Sequence, residues 1–394
     1  MDALITIEEA EALIRANTPV LGEETVTLQS AHGRLLRRPI LSDRPSPPFD
    51  RAMMDGIALH SSALTENREF PIEQIQAAGE SQKKLESTLH CLEVMTGAVL
   101  PQGADCVIKI EDIQIEDNIA KLLPHANAVA GQHVHPMGSD CKTDETVLST
   151  GSLLGPAELA IAASYGATEL TVSRIPSILL ITTGDEVIDP ADTPLPHQIR
   201  RSHPTAIIGA IASRQLGNVT HNHLPDNREA LDASLKENMT KYDVVLITGG
   251  ISMGKFDYVA PVLKDLIGDP VFHGIRQRPG KPFAFWSGTA PEKEGVKVFC
   301  LPGNPVSVMA CLARYILPAL RQMRNESWQP QQLPLVKHFE WHAKFPGLLA
   351  SKVIDGKLLL SPPKNSGDYT ALAGCTGVTQ DPQELSKTVS FYPW

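Results

Sequence analysis

The segment Val298-Phe299-Cys300-Leu301-Pro302-Gly303-Asn304-Pro305-Val306-Ser307 constrains the fold more than any other stretch of this chain. An apolar run ends, the chain turns on Pro-Gly-Asn-Pro, and a long apolar-periodic segment starts at once. Pro305, with a fixed φ and no N–H, suits the first position of a helix, and Asn304 suits the N-cap before it. Strand, tight turn and helix start are thereby compressed into a few residues. The N–H groups beyond the turn, with the Ser307 hydroxyl, are expected to face outward at the positive end of a helix dipole, which suits an anion. Taken alone, the segment equally fits a well-capped strand-to-helix turn.

From Ser177 onward the pattern around this segment is regular. Apolar runs at 178–181, 244–247 and 296–301 alternate with helical segments near 204–216, 227–239, 256–267 and 305–323. This is the βαβ alternation of an open, largely parallel sheet covered by helices. Gly217 and Gly268 are expected as helix C′ residues, and Pro318 is expected to kink the last helix.

The rest of the chain reads differently. Thr6-Ile7-Glu8-Glu9 is a capping box that opens a helix to about Asn17, and Pro156 to Gly166 is a second helix with Pro at its start and Gly past its end. Between them, short strands at 54–59, 92–99, 105–110 and 119–123 are punctuated by Gly and Pro, so residues 49–140 form an inserted β-rich domain. The helical pieces flanking it, 1–48 and 141–176, are grouped as one elongated connecting region. The α/β domain spans 177–329. After Pro330 the chain alternates again through 339–360, with an Asp355-Gly356 hairpin turn, so 330–394 is a small C-terminal β domain.

Composition narrows the function classes. The chain has 394 residues and a net charge of −10, which argues against general nucleic-acid binding. No apolar run reaches 18 residues and the start lacks a basic n-region, so neither a membrane span nor a signal peptide is expected. Six cysteines lack C-x-x-C spacing, which fits a reduced, cytoplasmic protein without structural zinc.

In open α/β sheets, ligands bind beyond the carboxyl ends of the strands. Here those ends read Thr182-Thr183-Gly184-Asp185-Glu186, then Thr248-Gly249-Gly250-Ile251-Ser252-Met253-Gly254 followed by Asp257, then Leu301 to Ser307. Between the last two lies the basic cluster Arg276-Gln277-Arg278-Pro279-Gly280-Lys281. Three cations beside glycine-rich turns in an acidic protein point to a phosphate or other oxyanion. Asp185, Glu186 and Asp257 on the same rim point to an accompanying divalent cation. His133-x-His135 and His221-x-His223, at period two, read as surface features of strands rather than metal ligands. No nucleophile–base motif is present, so the chemistry implied is positioning and electrostatics around phosphates.

These segments together resemble the MoeA family, the molybdopterin molybdenumtransferases, whose relatives include the gephyrin E domain. The motifs that carry the resemblance are A-M-M-D-G-I-A (52–58), M-T-G-A-V-L-P-Q-G-A-D (95–105), T-T-G-D-E-V (182–187), T-G-G-I-S-M-G-K-F-D-Y-V (248–259), R-P-G-K-P-F-A-F (278–285) and L-P-G-N-P-V-S (301–307). The resemblance implies a multi-domain α/β and β protein. Its MoaB/MogA-like α/β domain is joined by the inserted β-rich lid, the elongated connecting domain and a C-terminal β-barrel. It also implies a homodimer, with the lid of one subunit over the α/β domain of the other. The reaction implied inserts molybdenum from molybdate into adenylylated molybdopterin (molybdopterin-AMP) and releases AMP, assisted by Mg²⁺. Partners implied beyond these small molecules are a molybdopterin adenylyltransferase or molybdoenzymes. By the same resemblance Gly184, Asp185, Gly249, Gly250, Ser252, Arg278, Lys281, Pro302, Gly303, Asn304 and Ser307 hold the ligand. Asp185, Glu186 and Asp257 manage the metal or a hydrolytic water. Asp55, Thr96 and Asp140 arrive from the partner's lid and join Glu186 and Asp257 as catalytic residues. The chain departs from the family pattern at Ile57, at Arg201-Ser202-His203, at His135 to Asp140, and at Lys255. A non-catalytic cofactor- or partner-binding paralogue and a molybdopterin adenylyltransferase are the alternative readings.

Overall fold

The structure is a computed structural model that describes residues 4–251, 257–288, 295–337, 344–381 and 388–394. It divides into two compact units, one of residues 1–26, 33–37 and 171–394, the other of 27–32 and 38–170.

In the first unit, a six-stranded sheet runs in the order Asn218–Leu224, Ser177–Thr183, Val244–Thr248, Lys297–Leu301, Ala284–Ser287, Phe272–His273. The first four strands are parallel and the last two antiparallel. Side chains alternate across a strand, so each central strand feeds both faces. Ile178, Leu180, Val244, Leu246, Phe299 and Leu301 join one buried cluster. Leu179, Ile181, Val245, Ile247, Val298 and Cys300 join the other. Helices His203–Ala212 and Pro305–Cys311 cover the first face, and Arg228–Asn238 and Val259–Ile267 the second.

Helix Ile7–Asn17 is closed at its start by the Thr6/Glu9 capping box. Its stripe of Ile7, Ala10 and Ile14 is buried in the first cluster of the α/β sheet, whereas the sequence reading grouped this helix with 141–176. An apolar stripe at helical spacing is satisfied by whichever sheet face it meets, and nothing in the spacing names that face. The distortion expected at Pro318 takes the form of a π turn, Leu312–Ile316, immediately before it. Proline has no N–H to return to the preceding turn.

The C-terminal strands Gln331–Leu333, Val389–Pro393, Gly377–Gln380, Leu348–Ile354 and Lys357–Leu360 pair in that order, all antiparallel. The chain leaving the first of them reaches the last. Val336 N–H donates to Leu358 O and Leu358 N–H to Pro334 O, both at 2.8 Å. This curls the sheet round toward a barrel and covers part of its edge strand. Asp355 (φ 47°) and Gly356 (φ 72°) form its hairpin turn, as the Asp-Gly pair requires.

In the second unit, a six-stranded sheet has the order Cys106–Lys109, Gly56–Leu59, Cys91–Val94, Glu69–Gln76, Ile119–Leu122, Ile113–Glu116. It is held by a core that includes Ile57, Leu59, Phe70, Ile72 and Ile108. Gly56 is fixed by contact, since a Cβ there would fall 1.9 Å from Ile108 O.

Gly268 ends its helix at φ 86° as expected, but Gly217 does not. After helix His203–Ala212 the left-handed residue is Gln215 (φ 52°), and Leu216 N–H returns to Ile211 O at 3.0 Å. Gly217 serves packing instead: its Cβ would sit 2.4 Å from Ile178 Cδ1 and 3.1 Å from Pro176 O. Overpacking of this kind costs about 1–3 kcal/mol. Gly217→Ala is therefore expected to lower the unfolding midpoint, and Ile178→Val, which removes the clashing methyl, to recover part of the loss. An unchanged midpoint in Gly217→Ala measured by denaturant unfolding would refute the packing argument.

Candidate functional site

Register brings the predicted loops to one edge. Thr182 pairs with His223 on one side and Thr248 on the other, and Thr248 pairs with Leu301. The segments 183–186, 225–226, 249–251 and 302–304 therefore leave the sheet side by side. Strand Ala284–Ser287 runs the opposite way, with Ala284 opposite Cys300, so the basic loop before it arrives at the same edge.

The glycine turns are cradles that side chains would fill. Gly249 has φ 91° and Gly250 φ 63°, and a Cβ on Gly249 would lie 2.9 Å from Thr183 Oγ1. On Gly250 it would lie 2.9 Å from Val259 Cγ2. Gly303 abuts the same turn, its Cβ position 4.0 Å from Gly249 Cα. Thr183 Oγ1 is buried among these glycines without a hydrogen bond of full geometry, and the Asp226 carboxyl is the acceptor near enough to feel it. A buried hydroxyl so poorly satisfied costs about 1–3 kcal/mol unless something completes it, and it suits a polar ligand. Asn304 stands at the N-cap as expected; Gly303 and Asn304 are exposed, whereas Pro302 is buried. Two expectations for the helix start change. Val306 N–H is already taken by Ser366 O at 3.1 Å, and Ser307 is only 3% exposed. Helix Pro305–Cys311 is buried on all sides from Val306 to Cys311, Ser307 included. Ser252, with Met253, Gly254 and Lys255, lies outside the described residues.

The basic loop alternates. Arg276, Arg278 and Lys281 are exposed, while Gln277 between them is fully buried. Gln277 Oε1 accepts from Tyr315 OH, and Gln277 Nε2 donates to Pro279 O at 3.1 Å. Gly280 packs so tightly that a Cβ would fall 2.6 Å from Cys311 Sγ. Gln277 and Gly280 thus anchor the loop onto the 305–323 helical segment and turn the three cations outward. Among the described residues none of the three has an ion-pair partner.

The acidic rim differs from the sequence reading. Glu186 folds back over Gly184, whose Cβ position is 2.9 Å from Glu186 Oε2. Asp185 Oδ1 accepts from the Asp226 N–H at 3.2 Å. Burial, and then the charges of Glu186 and Asp185, push the Asp226 carboxyl above the usual carboxylate range. Asp226 is therefore the third acid of this rim. Asp257 stands on the next loop, before helix Val259–Ile267, whose Val259 N–H donates to Gly250 O at 3.4 Å. Among the described residues no three His, Cys, Asp or Glu side chains come close enough to hold a metal ion. The expected set of Asp185, Glu186 and Asp257 is thus not a ready-made metal cage: the first two sit on the loop adjoining Asp226. Beside them, His221 Nε2 and His223 Nδ1 lie 3.0 and 2.9 Å from Thr182 Oγ1. These rings clamp a buried hydroxyl rather than lying free on the surface. Burial and the nearby Arg201 charge hold both imidazoles below the usual histidine range. Arg201 itself pairs with Asp189 at 2.9 Å.

Three predicted residues belong to the second unit. Asp55 Oδ1 accepts from the Thr96 N–H at 2.6 Å, and the backbone and side chain of Thr96 hold the Asp55 carboxyl below its usual range. Asp140 is exposed, with Oδ1 2.8 Å from His135 Nε2.

Comparison with known proteins supplies the context. Residues 5–166 match the model described as the MoeA N-terminal region (domain I and II), and 179–322 that of a probable molybdopterin binding domain. A Synechocystis protein named molybdopterin molybdenumtransferase is 35% identical over 404 residues, covering 99% of this chain and 100% of the relative. One of the same name from Synechococcus elongatus is 32% identical, covering 90% and 89%. The crystal structure of the molybdopterin biosynthesis MoeA protein of Pyrococcus horikoshii is similar at a TM-score of 0.78 and 25% identity, covering 99% of this chain and 98% of that one.

Two consequences are measurable. Gln277→Met strands the buried Tyr315 hydroxyl and is expected to cost about 1–3 kcal/mol. Adding Tyr315→Phe removes the stranded group and should recover part of that in unfolding experiments; strict additivity would count against the network. For Asp226, a pKa raised by folding means that its ionisation opposes folding, an opposition absent below the unfolded value and complete once pH exceeds the folded one. Asp226→Asn should raise the melting midpoint at pH 7, with the gain vanishing as pH falls below roughly 4. No gain at pH 7 would contradict the crowded-acid geometry.

Proposed function

Because the chain belongs to the MoeA family of molybdopterin molybdenumtransferases, we propose that it inserts molybdenum from molybdate into adenylylated molybdopterin with release of AMP. The observation that carries this reading is the buried, incompletely satisfied Thr183 hydroxyl against the Gly249–Gly250 turn, on the sheet edge that also receives three exposed cations. A hydroxyl donor, glycine backbone open to close approach, and Arg276, Arg278 and Lys281 suit the phosphates of a nucleotide-linked substrate and the oxyanion it meets. The carboxylates Asp185, Glu186 and Asp226 are hard oxygen donors of the kind that hold Mg²⁺ through one or two carboxylates and waters. A bound Mg²⁺ would neutralise phosphate charge as the phosphoanhydride bond breaks. Glu186 and Asp257 accept a proton from water in this scheme, and Asp55, Thr96 and Asp140 complete the catalytic set. The six cysteines are free thiols and, among the described residues, no helix is long and apolar enough to cross a membrane; we place the protein in the cytoplasm, as a homodimer.

Purified protein given molybdate, Mg²⁺ and adenylylated molybdopterin is expected to release AMP, and Glu186→Ala to slow that release by roughly 10²- to 10⁴-fold if the residue moves a proton. Ligand binding without AMP release, while the Synechocystis relative turns over in parallel, would sink the proposal in favour of a non-catalytic binding protein. Pyrophosphate release from ATP would favour adenylyl transfer.

A further inference from the structure

In the second unit a small ribbon carries three of the predicted catalytic residues. Strand Arg51–Ala52 pairs antiparallel with Val134–His135, placing Arg51 directly opposite His135. On its other side it is bridged to the 97–99 segment, with Gly97 N–H donating to Ala52 O and Ala52 N–H to Ala98 O, both at 2.9 Å. Thr96 lies just before that segment, Asp55 just beyond Ala52, and Asp140 shortly after His135.

Across this ribbon runs a chain of side-chain hydrogen bonds. Arg51 Nη2 lies 3.0 Å from His135 Nδ1, and His135 Nε2 lies 2.8 Å from Asp140 Oδ1. A guanidinium only donates and never gives up its proton in proteins. His135 Nδ1 must therefore be the acceptor, and the ring proton sits on Nε2, aimed at the carboxylate. Among the described residues Arg51 has no carboxylate partner, so its donor serves the imidazole. The other contacts of Asp140 are its own N–H, donated to Ser46 O at 2.9 Å, and Ser139 Oγ, 3.5 Å from the same Oδ1. Oδ2 has no protein partner among the described residues and is left for solvent or ligand.

We propose that Arg51 and His135 are positioning residues for the reaction: Arg51 selects the His135 tautomer, and His135 orients Asp140 so that Oδ2 faces the reacting groups. This rests on the reading of Asp140 as catalytic. The physical logic is general, since a ring nitrogen's role is set by what the other nitrogen binds, and loss of such an orienting partner costs about 10- to 100-fold where it has been measured at metal centres.

The test combines a spectroscopic readout with a mutant cycle. Long-range ¹H–¹⁵N spectra of histidine-labelled protein, with His135→Phe assigning the resonance, should show the proton on Nε2. Arg51→Met should shift the ring away from that single tautomer while leaving the denaturant unfolding midpoint essentially that of wild type. His135→Phe and Arg51→Met should each lower kcat by roughly 10- to 100-fold. Neither should lower it further in an Asp140→Asn background, because they act through that carboxylate. A proton on Nδ1, wild-type kcat in both variants, or losses that multiply fully with Asp140→Asn would overturn the proposal. Failure of the underlying reading shows differently, as wild-type kcat in Asp140→Asn with the ring still protonated on Nε2.

Discussion

The whole site depends on one constraint, the in-register parallel pairing of four strands that fixes Thr182, His223, Thr248 and Leu301 in one row. Parallel strands must end together at one edge, and the loops that leave them are adjacent in space although they lie far apart in sequence. Neither the buried Thr183 hydroxyl nor the glycine turn would mean anything alone. Thr183 becomes informative because register sets it against Gly249 and Gly250, where a methyl group on the first would touch it.

That register also explains what could be read from the chain without coordinates. The strands 178–181, 244–247 and, apart from Lys297, 296–301 are apolar because both faces of the sheet are buried, and such runs stand out. Pro305 after Asn304 marks a helix start through backbone chemistry that no tertiary context alters. Strand Asn218–Leu224 is legible only as the His221-x-His223 alternation, because it is an edge strand of mixed exposure carrying Thr220, His221, Asn222 and His223. Without its place in the parallel sheet, Asp226 at its end is not a candidate and His221 and His223 read as surface residues. A local signal existed: Pro225-Asp226-Asn227 sits just before a helix that Asn227 caps, its Oδ1 accepting from Ala230 N–H at 2.9 Å.

The two other departures share a cause. Ser307 has the residue type and spacing of a ligand-facing hydroxyl, but its helix is covered all round from Val306 to Cys311, so no phase leaves it exposed. Gln277, a polar residue in a basic loop, reads as solvent-facing, yet it is a buried anchor shared by Tyr315 and Pro279. Sequence periodicity states which residues lie on one side of an element, whereas only packing states which side is inside. Polar residues that fill their hydrogen bonds within the core escape any reading based on hydrophobicity.

Strand order carries the argument one step further. Along the edge the sequence of loops is Asp226, then Asp185 and Glu186, then Gly249 and Gly250, then Pro302 to Asn304, then the loop bearing Arg276, Arg278 and Lys281. Carboxylates stand at one end, cations at the other, and side-chain-free backbone lies between them. With adjacent strands about 4.8 Å apart, four spacings separate the two ends by roughly 19 Å. A single compact anion would need only the cationic end. A polarised row of this length suits an extended polyanion whose far end is accompanied by a divalent cation, because the acids repel bare phosphate but favour phosphate that brings its metal. The depressed imidazoles of His221 and His223 fit that division, since burial and Arg201 keep them from adding positive charge to the acidic end at neutral pH. The separation of charge among these five loops is thus written into strand order itself, and the cation placed beside the acidic end, Arg201, is held by Asp189.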